Sequence, residues 1–491
     1  MYIGIDLGTS GIKVVLTDEE GQVLASHTAS LEVSRPAPLY SEQAPQDWVD
    51  ALNKSMEQLS HEHALNKVKA IGLSGQMHGA VLLDKHADVI RPAILWNDGR
   101  SHQECEELEQ AVPNSREITG NLMMPGFTAP KLLWVKKHEP EHFARIDKVL
   151  LPKDYLRYVL SGDYASDMSD SAGTLWLDVG KRKWDASLLA ACGLSEANMP
   201  KLYEGSEITG YLHQSLADKW GMKAVPIVAG AGDNAAGAIG VGLTQPGQAM
   251  LSLGTSGVYF VVSDKYTSNP ESAVHSFCHA LPNTWHLMSV LLSAASCVSW
   301  FAESIAKQPL SELLQELGDS IEIQEDSPFF LPYLSGERTP HNNPYAMGNF
   351  FGLTHQTDKK ALLSAVIEGV SLAFADGVEA LHASGTQAKE VMLIGGGARH
   401  EGWRQLLADV LNREVKFCEA GEVGPGLGAA RLAQLAVDKD TPFAEICKTP
   451  KTIATYQADA QRHALFKKRQ GKFREIYQQL VPLFTSDSGE G

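Results

Sequence analysis

The sequence predicts an α/β protein built as two similar halves that grip a phosphate-bearing ligand between them. Three observations carry that prediction. Leu7-Gly8-Thr9-Ser10-Gly11 recurs as Leu253-Gly254-Thr255-Ser256-Gly257, half the chain later. Each copy sits between apolar runs: Tyr2-Ile3-Gly4-Ile5-Asp6 before and Val14-Val15-Leu16-Thr17 after the first, Ala249-Met250-Leu251-Ser252 before and Val258-Tyr259-Phe260-Val261-Val262 after the second. Both therefore read as strand, turn, strand. A turn of Gly, Ser and Thr exposes backbone N–H groups and hydroxyls, which suit phosphate oxygens. The copies differ at one chemically useful place, where Asp6 becomes Ser252. A carboxylate beside phosphates makes sense chiefly with a divalent cation.

The chain has 491 residues, enough for two or more domains. A net charge of −17 argues against non-specific nucleic-acid or anionic-membrane binding, which needs a basic surface. A polyanion must then be held by local amides, a few cations and a metal. Six scattered cysteines without metal spacing read as reduced thiols of a cytoplasmic protein. Met1 leads straight into a strand, so no signal peptide is expected. Residues 283–302 carry no Asp, Glu, Lys or Arg, but four serines and His286 make them too polar for a span. They read as a buried strand and a tightly packed helix, and no membrane segment is expected.

The elements follow in order. Residues 45–60 read as an amphipathic helix. Val68-Lys69-Ala70-Ile71-Gly72-Leu73 is a short strand that breaks at Ser74-Gly75-Gln76-Met77-His78-Gly79, and 80–84 resume as strand. Helices are expected at 100–111, 128–138 and 152–161, and 162–222 alternate short helical patterns with Gly-rich turns. Val225-Pro226-Ile227-Val228-Ala229 is a strand that enters Gly230-Ala231-Gly232-Asp233-Asn234 and a small-residue helix, 235–240. In the second half, Val391-Met392-Leu393-Ile394 is a strand, Gly395-Gly396-Gly397-Ala398 a loop, and a helix begins near Gly402. Residues 457–481 read as a helix whose Lys467, Lys468, Arg469, Lys472 and Arg474 form a solvated face. The halves divide near 245, at Thr244-Gln245-Pro246-Gly247, giving 1–245 and 246–485, with a disordered tail at 486–491.

Between 224 and 263 the one charged side chain is Asp233. It follows a strand and a Gly-x-Gly turn and opens a helix. A carboxylate there suits a general base that orients and deprotonates a hydroxyl; the plainer reading is a helix N-cap. Asp6 reads as a carboxylate serving Mg²⁺, or as a turn cap. Lys13 opens the next strand, where it could neutralise phosphate charge. The loop at Gly396 and Gly397 lets backbone approach a ligand closely. The chain has no GxxxxGK[ST] and no GxGxxG at a first βα turn, which removes the P-loop reading and weakens a dinucleotide one. Gln76, Met77 and His78, with Trp96 and Asp98, form polar-aromatic loops suited to a sugar. A lone histidine is as often structural.

Together these residues resemble the carbohydrate kinases named for their Phe-Gly-Gly-Tyr motif, over about 1–480. Gly126-Phe127-Thr128-Ala129-Pro130-Lys131-Leu132-Leu133-Trp134-Val135 resembles the family's first signature. Gly336-Glu337-Arg338-Thr339-Pro340-His341, leading to Gly348-Asn349-Phe350-Phe351-Gly352-Leu353-Thr354, resembles the second. The resemblance implies two actin-like, ribonuclease-H-like domains with ATP in the cleft between them. It implies Asp233 as the base on the sugar hydroxyl, with Asn234 beside it, and Asp6 at the Mg²⁺–phosphate end. It places Thr9, Ser10, Lys13, Thr255 and Ser256 near the phosphates, and Gly396 and Gly397 against the adenosine. Gln76, Met77, His78, Trp96 and Asp98 fall on the sugar side, and the Ser-Gly-Gln-Met-His-Gly run points to D-xylulose. A homodimer is expected on the same ground. Met347 departs from the arginine, and Glu401 from the asparagine, that relatives carry. Two alternatives stand beside this reading: a kinase for ribulose, gluconate or glycerol, and an actin- or chaperone-like ATPase acting on a protein partner.

Overall fold

The computed structural model describes residues 1–418 and 424–484; the tail expected at 486–491 lies outside them. Two seven-stranded sheets organise the chain. The first is built from β1 (Tyr2–Leu7), β2 (Gly11–Thr17), β3 (Val23–Ser30), β4 (Ile71–Gly75), β5 (Ile208–Tyr211), β6 (Pro226–Val228) and β7 (Ala231–Gly232). Its order is β5-β6-β4-β1-β2-β3, with β7 paired to the end of β4. The second is built from β8 (Ala249–Leu253), β9 (Gly257–Ser263), β10 (His275–Cys278), β11 (Trp285–Leu291), β12 (Glu390–Ile394), β13 (Glu414–Cys418) and β14 (Thr452–Tyr456), in the order β10-β11-β9-β8-β12-β13-β14.

Six strands of each sheet correspond, with β7 and β10 as the additions peculiar to each. β1–β2 and β8–β9 are antiparallel hairpins, β1–β4 and β8–β12 are parallel, and β5 and β14 run antiparallel to β6 and β13. The repeated motif is thus the turn of the first hairpin in each half. The second turn is one residue tighter: Leu7 faces Ile12, whereas Leu253 faces Gly257, the counterpart of Gly11. Central strands covered on both faces read as continuous apolar runs, and Tyr2, Ile3, Ile5, Leu7, Ile12, Val14 and Leu16 are all buried.

Helices cover both sheets. Those that matter for the site are α1 (Pro45–Glu62), α2 (Thr128–His138), α3 (Pro152–Ser161), α4 (Met168–Ala172) and α5 (Asp233–Gly240) in the first half. The second half supplies α6 (Ala295–Trp300), α7 (Lys359–His382), α8 (Glu401–Leu411), α9 (Pro425–Val437) and α10 (Ala460–Leu480). Proline opens α1 and α3, where its missing N–H costs nothing. Gly162, at φ 81°, closes α3 in the left-handed conformation that glycine favours. Residues 283–302 form β11 and α6, as the sequence suggests. α7 is apolar and long enough to cross a bilayer, but 89% of its apolar window is buried inside the protein.

The basic face expected on α10 needs correction. Arg469 is 1% exposed, paired with Glu368 and bonded to four main-chain carbonyls. Lys467, Lys468, Lys472 and Arg474 each meet a carboxylate. Only Arg469 departs from the solvated face, forming a buried seam with Glu368, while Lys467, Lys468, Lys472 and Arg474 stay 42–66% exposed as the sequence suggests.

The halves interlock through one helix each. α9 belongs to the second half but lies on the first sheet. A Cβ on Gly4 would sit 1.8 Å from the Gly426 carbonyl oxygen, and one on Gly72 1.9 Å from that of Ala429, so helix and strand touch backbone to backbone. α5 presses against α9 as closely, with a Gly428 Cβ falling 1.8 Å from the Ala236 oxygen. Ala238 of α5 falls in the same apolar cluster as Met250, Phe260 and Val262 of the second sheet. Arg431 of α9 donates to the Ile239 and Gly240 carbonyls and so caps α5.

Candidate active site

The carboxylates come together where the first sheet's strands end. Asp6, in β1, faces Lys13 across the hairpin and Ser74 on β4. Burial pushes its pKa up to about 6, against the pull of the nearby Ser74 hydroxyl and the Lys13 charge. Its Oδ1 is buried and meets no hydrogen-bond partner among the described residues. The first turn of α9 closes over it, since a Cβ on Gly426 would lie 3.7 Å from the Asp6 Cβ.

Asp233 is the first residue of α5, with Gly232 as the cap, so it is not itself the N-cap. Burial, then the nearby Asp6 charge, push its pKa up to about 7. The Asn234 amide N–H and Nδ2 both donate to Asp233 Oδ1, at 2.7 and 2.9 Å, which leaves Oδ2 for a ligand. Asn234 thus orients the carboxylate.

On the expected sugar side, Gln76 follows β4 and its amide donates to the Leu7 carbonyl at 2.8 Å. Its Nε2 donates to Gln43 Oε1, which also accepts from Trp48 Nε1. Gln76 Oε1 accepts from the Thr9 hydroxyl at 3.2 Å, and Trp96 Nε1 donates to that hydroxyl at 2.9 Å. Thr9, expected at the phosphates, therefore joins the two sides. Trp96 remains 43% exposed and offers its ring as a wall. Met77 fills the space beside Gly232 and Gly173, where a Cβ would come within 2.9 Å of its side chain.

His78 has φ 71°, which turns its ring under Gly173, and Nδ1 lies 2.6 Å from the Gly173 carbonyl oxygen. A carbonyl only accepts, so Nδ1 carries the proton and Nε2 is the free acceptor. Burial pushes the pKa down to about 3 and keeps the ring neutral. The ring packs on Phe127 at 4.4 Å. Asp98 differs in kind. It is 2% exposed, and its oxygens accept from the Ser41 amide and from the backbone and guanidinium of Arg100. With both oxygens occupied, it fixes the loop that carries Trp96.

The second half brings its hairpin and its glycine loop together. Gly395 has φ 102°, and a Cβ there would lie 2.5 Å from the Leu253 carbonyl oxygen. Gly397 packs on the Leu253 and Ala295 side chains, and Gly396 is open. The Thr255 carbonyl accepts from the Ala294 amide at 2.9 Å, tying the turn to the start of α6. Ser10, Thr255 and Ser256 are exposed at the turns. Met347 is exposed, and Glu401 accepts from the Tyr456 hydroxyl.

Sequence reasoning missed several groups near His78. Arg338 donates to His275 Nε2 at 3.3 Å, and His275 Nδ1 donates to Asn121 Oδ1 at 3.0 Å. Arg338 acts electrostatically on His78, so a second-half cation faces the first-half loop. The second signature named Arg338 without showing where it points. Gln43, Lys153 and Ser169 left no motif at all, since each meets the site only through the fold.

A duplicated actin-like fold, two carboxylates in reach of each other and a glycine loop over a Gly-Thr-Ser hairpin define a phosphotransferase with its cleft between two halves. Residues 1–240 match the N-terminal domain of the FGGY family of carbohydrate kinases, and 249–437 its C-terminal domain. The chain belongs to that family. It is 59% identical to the xylulose kinase of Escherichia coli (strain K12), over 98% of this chain and 100% of that one. It is 53% identical to that of Klebsiella pneumoniae, over 99% and 100%. The crystal structure of a xyloylose kinase from Brucella ovis superposes with a TM-score of 0.94 at 48% identity, covering 98% and 99%.

Proposed function

We propose that the chain transfers the γ-phosphoryl group of ATP to the terminal hydroxyl of D-xylulose, giving D-xylulose 5-phosphate and ADP. The observation that carries this reading is the approach of Asp6 and Asp233 to each other from the two sides of the end of β4. The identity to the Escherichia coli enzyme over the whole chain supports the choice of sugar.

Asp233 is the general base. Its free oxygen orients the sugar hydroxyl and takes its proton as the oxygen–phosphorus bond forms. The bond from the γ-phosphorus to the bridging oxygen breaks in line, and the electron pair leaves with ADP. Asp6 would hold a magnesium ion, since its buried Oδ1, unpartnered among the described residues, fits a hard cation. When bound, the ion neutralises charge on the transferring group. Ser10, Lys13, Thr255 and Ser256 hold the phosphates, and Gly396 and Gly397 lie against the nucleoside. His78 Nε2 accepts from a sugar hydroxyl, Trp96 and Met77 supply apolar walls, and Gln76 with Thr9 fixes the floor. Closure of the halves excludes water from the phosphoryl group. Six free cysteines fit a cytoplasmic home, and assembly as a homodimer belongs to the same reading.

The test is ADP release with MgATP and D-xylulose, ribulose, gluconate or glycerol in parallel. Strong stimulation by xylulose alone is expected. Stimulation by another polyol moves the specificity, and indifference to all of them, with ATP bound, removes the reading.

A further inference from the structure

Beneath the sugar side lies a group of charges that the proposed chemistry does not use. Lys153 Nζ meets Asp154 at 2.6 Å, Asp167 at 2.7 Å and Asp170 at 3.0 Å, and all four side chains are fully buried. Arg157, also buried, donates to the Val228 and Ala229 carbonyls just ahead of the turn that carries Asp233. Burial opposes the Lys153 charge, but the three carboxylates outweigh it and hold the ammonium charged. So large a polar investment in an apolar interior costs stability unless every member is satisfied.

The group ends in short contacts to the site. Asp167 Oδ2 caps α4, accepting from the Ser169 and Asp170 amides at 2.7 and 3.1 Å, and it also accepts from the Ser169 hydroxyl. That bond fixes the hydroxyl's proton, so its lone pairs face away from Asp167. One of them accepts from the Gly232 amide at 3.1 Å, next to Asp233. At the other end of the same helix, the Gly173 carbonyl accepts from His78 Nδ1. Gly173 and Gly232 also hold Met77 from two sides.

We propose that Asp167–Gly173, clamped by Lys153, is the positioning element of the sugar site, with Ser169 setting the Asp233 turn and the Gly173 carbonyl setting His78. It rests on the reading of Asp233 as the base. One rigid segment thereby fixes the distance between the group that takes the proton and the group that accepts the sugar's hydroxyl. Phosphoryl transfer to a hydroxyl depends on that spacing more than on any single contact.

The test compares Ser169→Ala, Ser169→Cys, Ser169→Thr and Asp233→Asn in steady-state turnover of MgATP and D-xylulose, with ATP affinity measured by calorimetry. Cysteine nearly keeps the volume but accepts hydrogen bonds weakly; threonine keeps the acceptor. Expected are kcat losses of about tenfold to a hundredfold for the alanine and cysteine forms, unchanged ATP affinity, and recovery in the threonine form. Wild-type kcat in the alanine and cysteine forms, with Asp233→Asn inactive, overturns the proposal alone. Losses in the cysteine and threonine forms alike also overturn it, since packing would then explain them. Near-normal turnover of Asp233→Asn removes the base reading and the proposal together.

Discussion

Asp233 combines a buried setting with two donors on a single oxygen, and the setting decides its protonation. An ordinary aspartate titrates near 4, whereas this one is pushed up to about 7. A base works deprotonated, so kcat/KM for the sugar is expected to fall as pH drops through 7, by about tenfold per unit once well below it. A profile flat down to pH 5 at saturating MgATP would exclude Asp233 as the titrating base. Asp233 was legible because it stands alone in a long uncharged stretch. Asp98 was legible as a loop residue but not as a sequestered one, because its partner at Ser41 is remote in sequence. The Thr9 bonds to Gln76 and Trp96 were hidden for a related reason: a Gly-Thr-Ser turn reveals its composition but not which way each hydroxyl turns. At Gly395 the backbone itself is the constraint, since φ 102° and the nearby Leu253 carbonyl leave no room for a methyl. Gly395→Ala is expected to weaken ATP binding at least about tenfold while sparing the sugar side. Calorimetric titration with ATP and with D-xylulose separates the two.

Among the elements, helices with strong periodicity or proline starts were found to within a few residues: 128–138 and 152–161 match α2 and α3. Their boundaries are written in local residues. What a helix faces is not, and α10 shows the cost. Five basic residues on one helix read as a solvated face, yet Arg469 is interior because Glu368 of α7 lies beneath it. Removing one partner of a buried pair strands the other. Arg469→Met is therefore expected to cost about 3–5 kcal/mol in chemical denaturation. Lys468→Ala, which breaks only an exposed pair with Glu325, should stay within about 1 kcal/mol. Equal effects of the two would mean that burial does not govern this seam. The segment around α4 stayed unread for the opposite reason. Its polar run of Ser166, Asp167, Ser169, Asp170 and Ser171 looks like surface loop, and Lys153 from α3, together with bonds inside the segment, makes its burial tolerable.

At the scale of the molecule the duplication was visible in five repeated residues, and the matched sheets bear it out. The seating of α9 on the first sheet was not visible. Small residues such as Ala235, Ala236, Gly426 and Gly428 say that a helix packs closely without saying against what. In the folded chain the second half lends α9 to the first sheet, and α5 packs against it. A gap in the chain at Pro246 would therefore not yield two self-sufficient proteins. Residues 1–245 alone would present the backbone of Gly4 and Gly72 to water where α9 belongs. Residues 246–491 alone would carry α9 with nothing to lie on. Made separately, each fragment is expected to aggregate. Made together, the two should complement one another into a phosphorylating pair whose reassembly any sugar-kinase assay reports. Activity in either fragment by itself would show that the loan of α9 is dispensable. A protein with Asp233 at the head of α5, and with α9 of the other half closed over Asp6, cannot be made of independent halves.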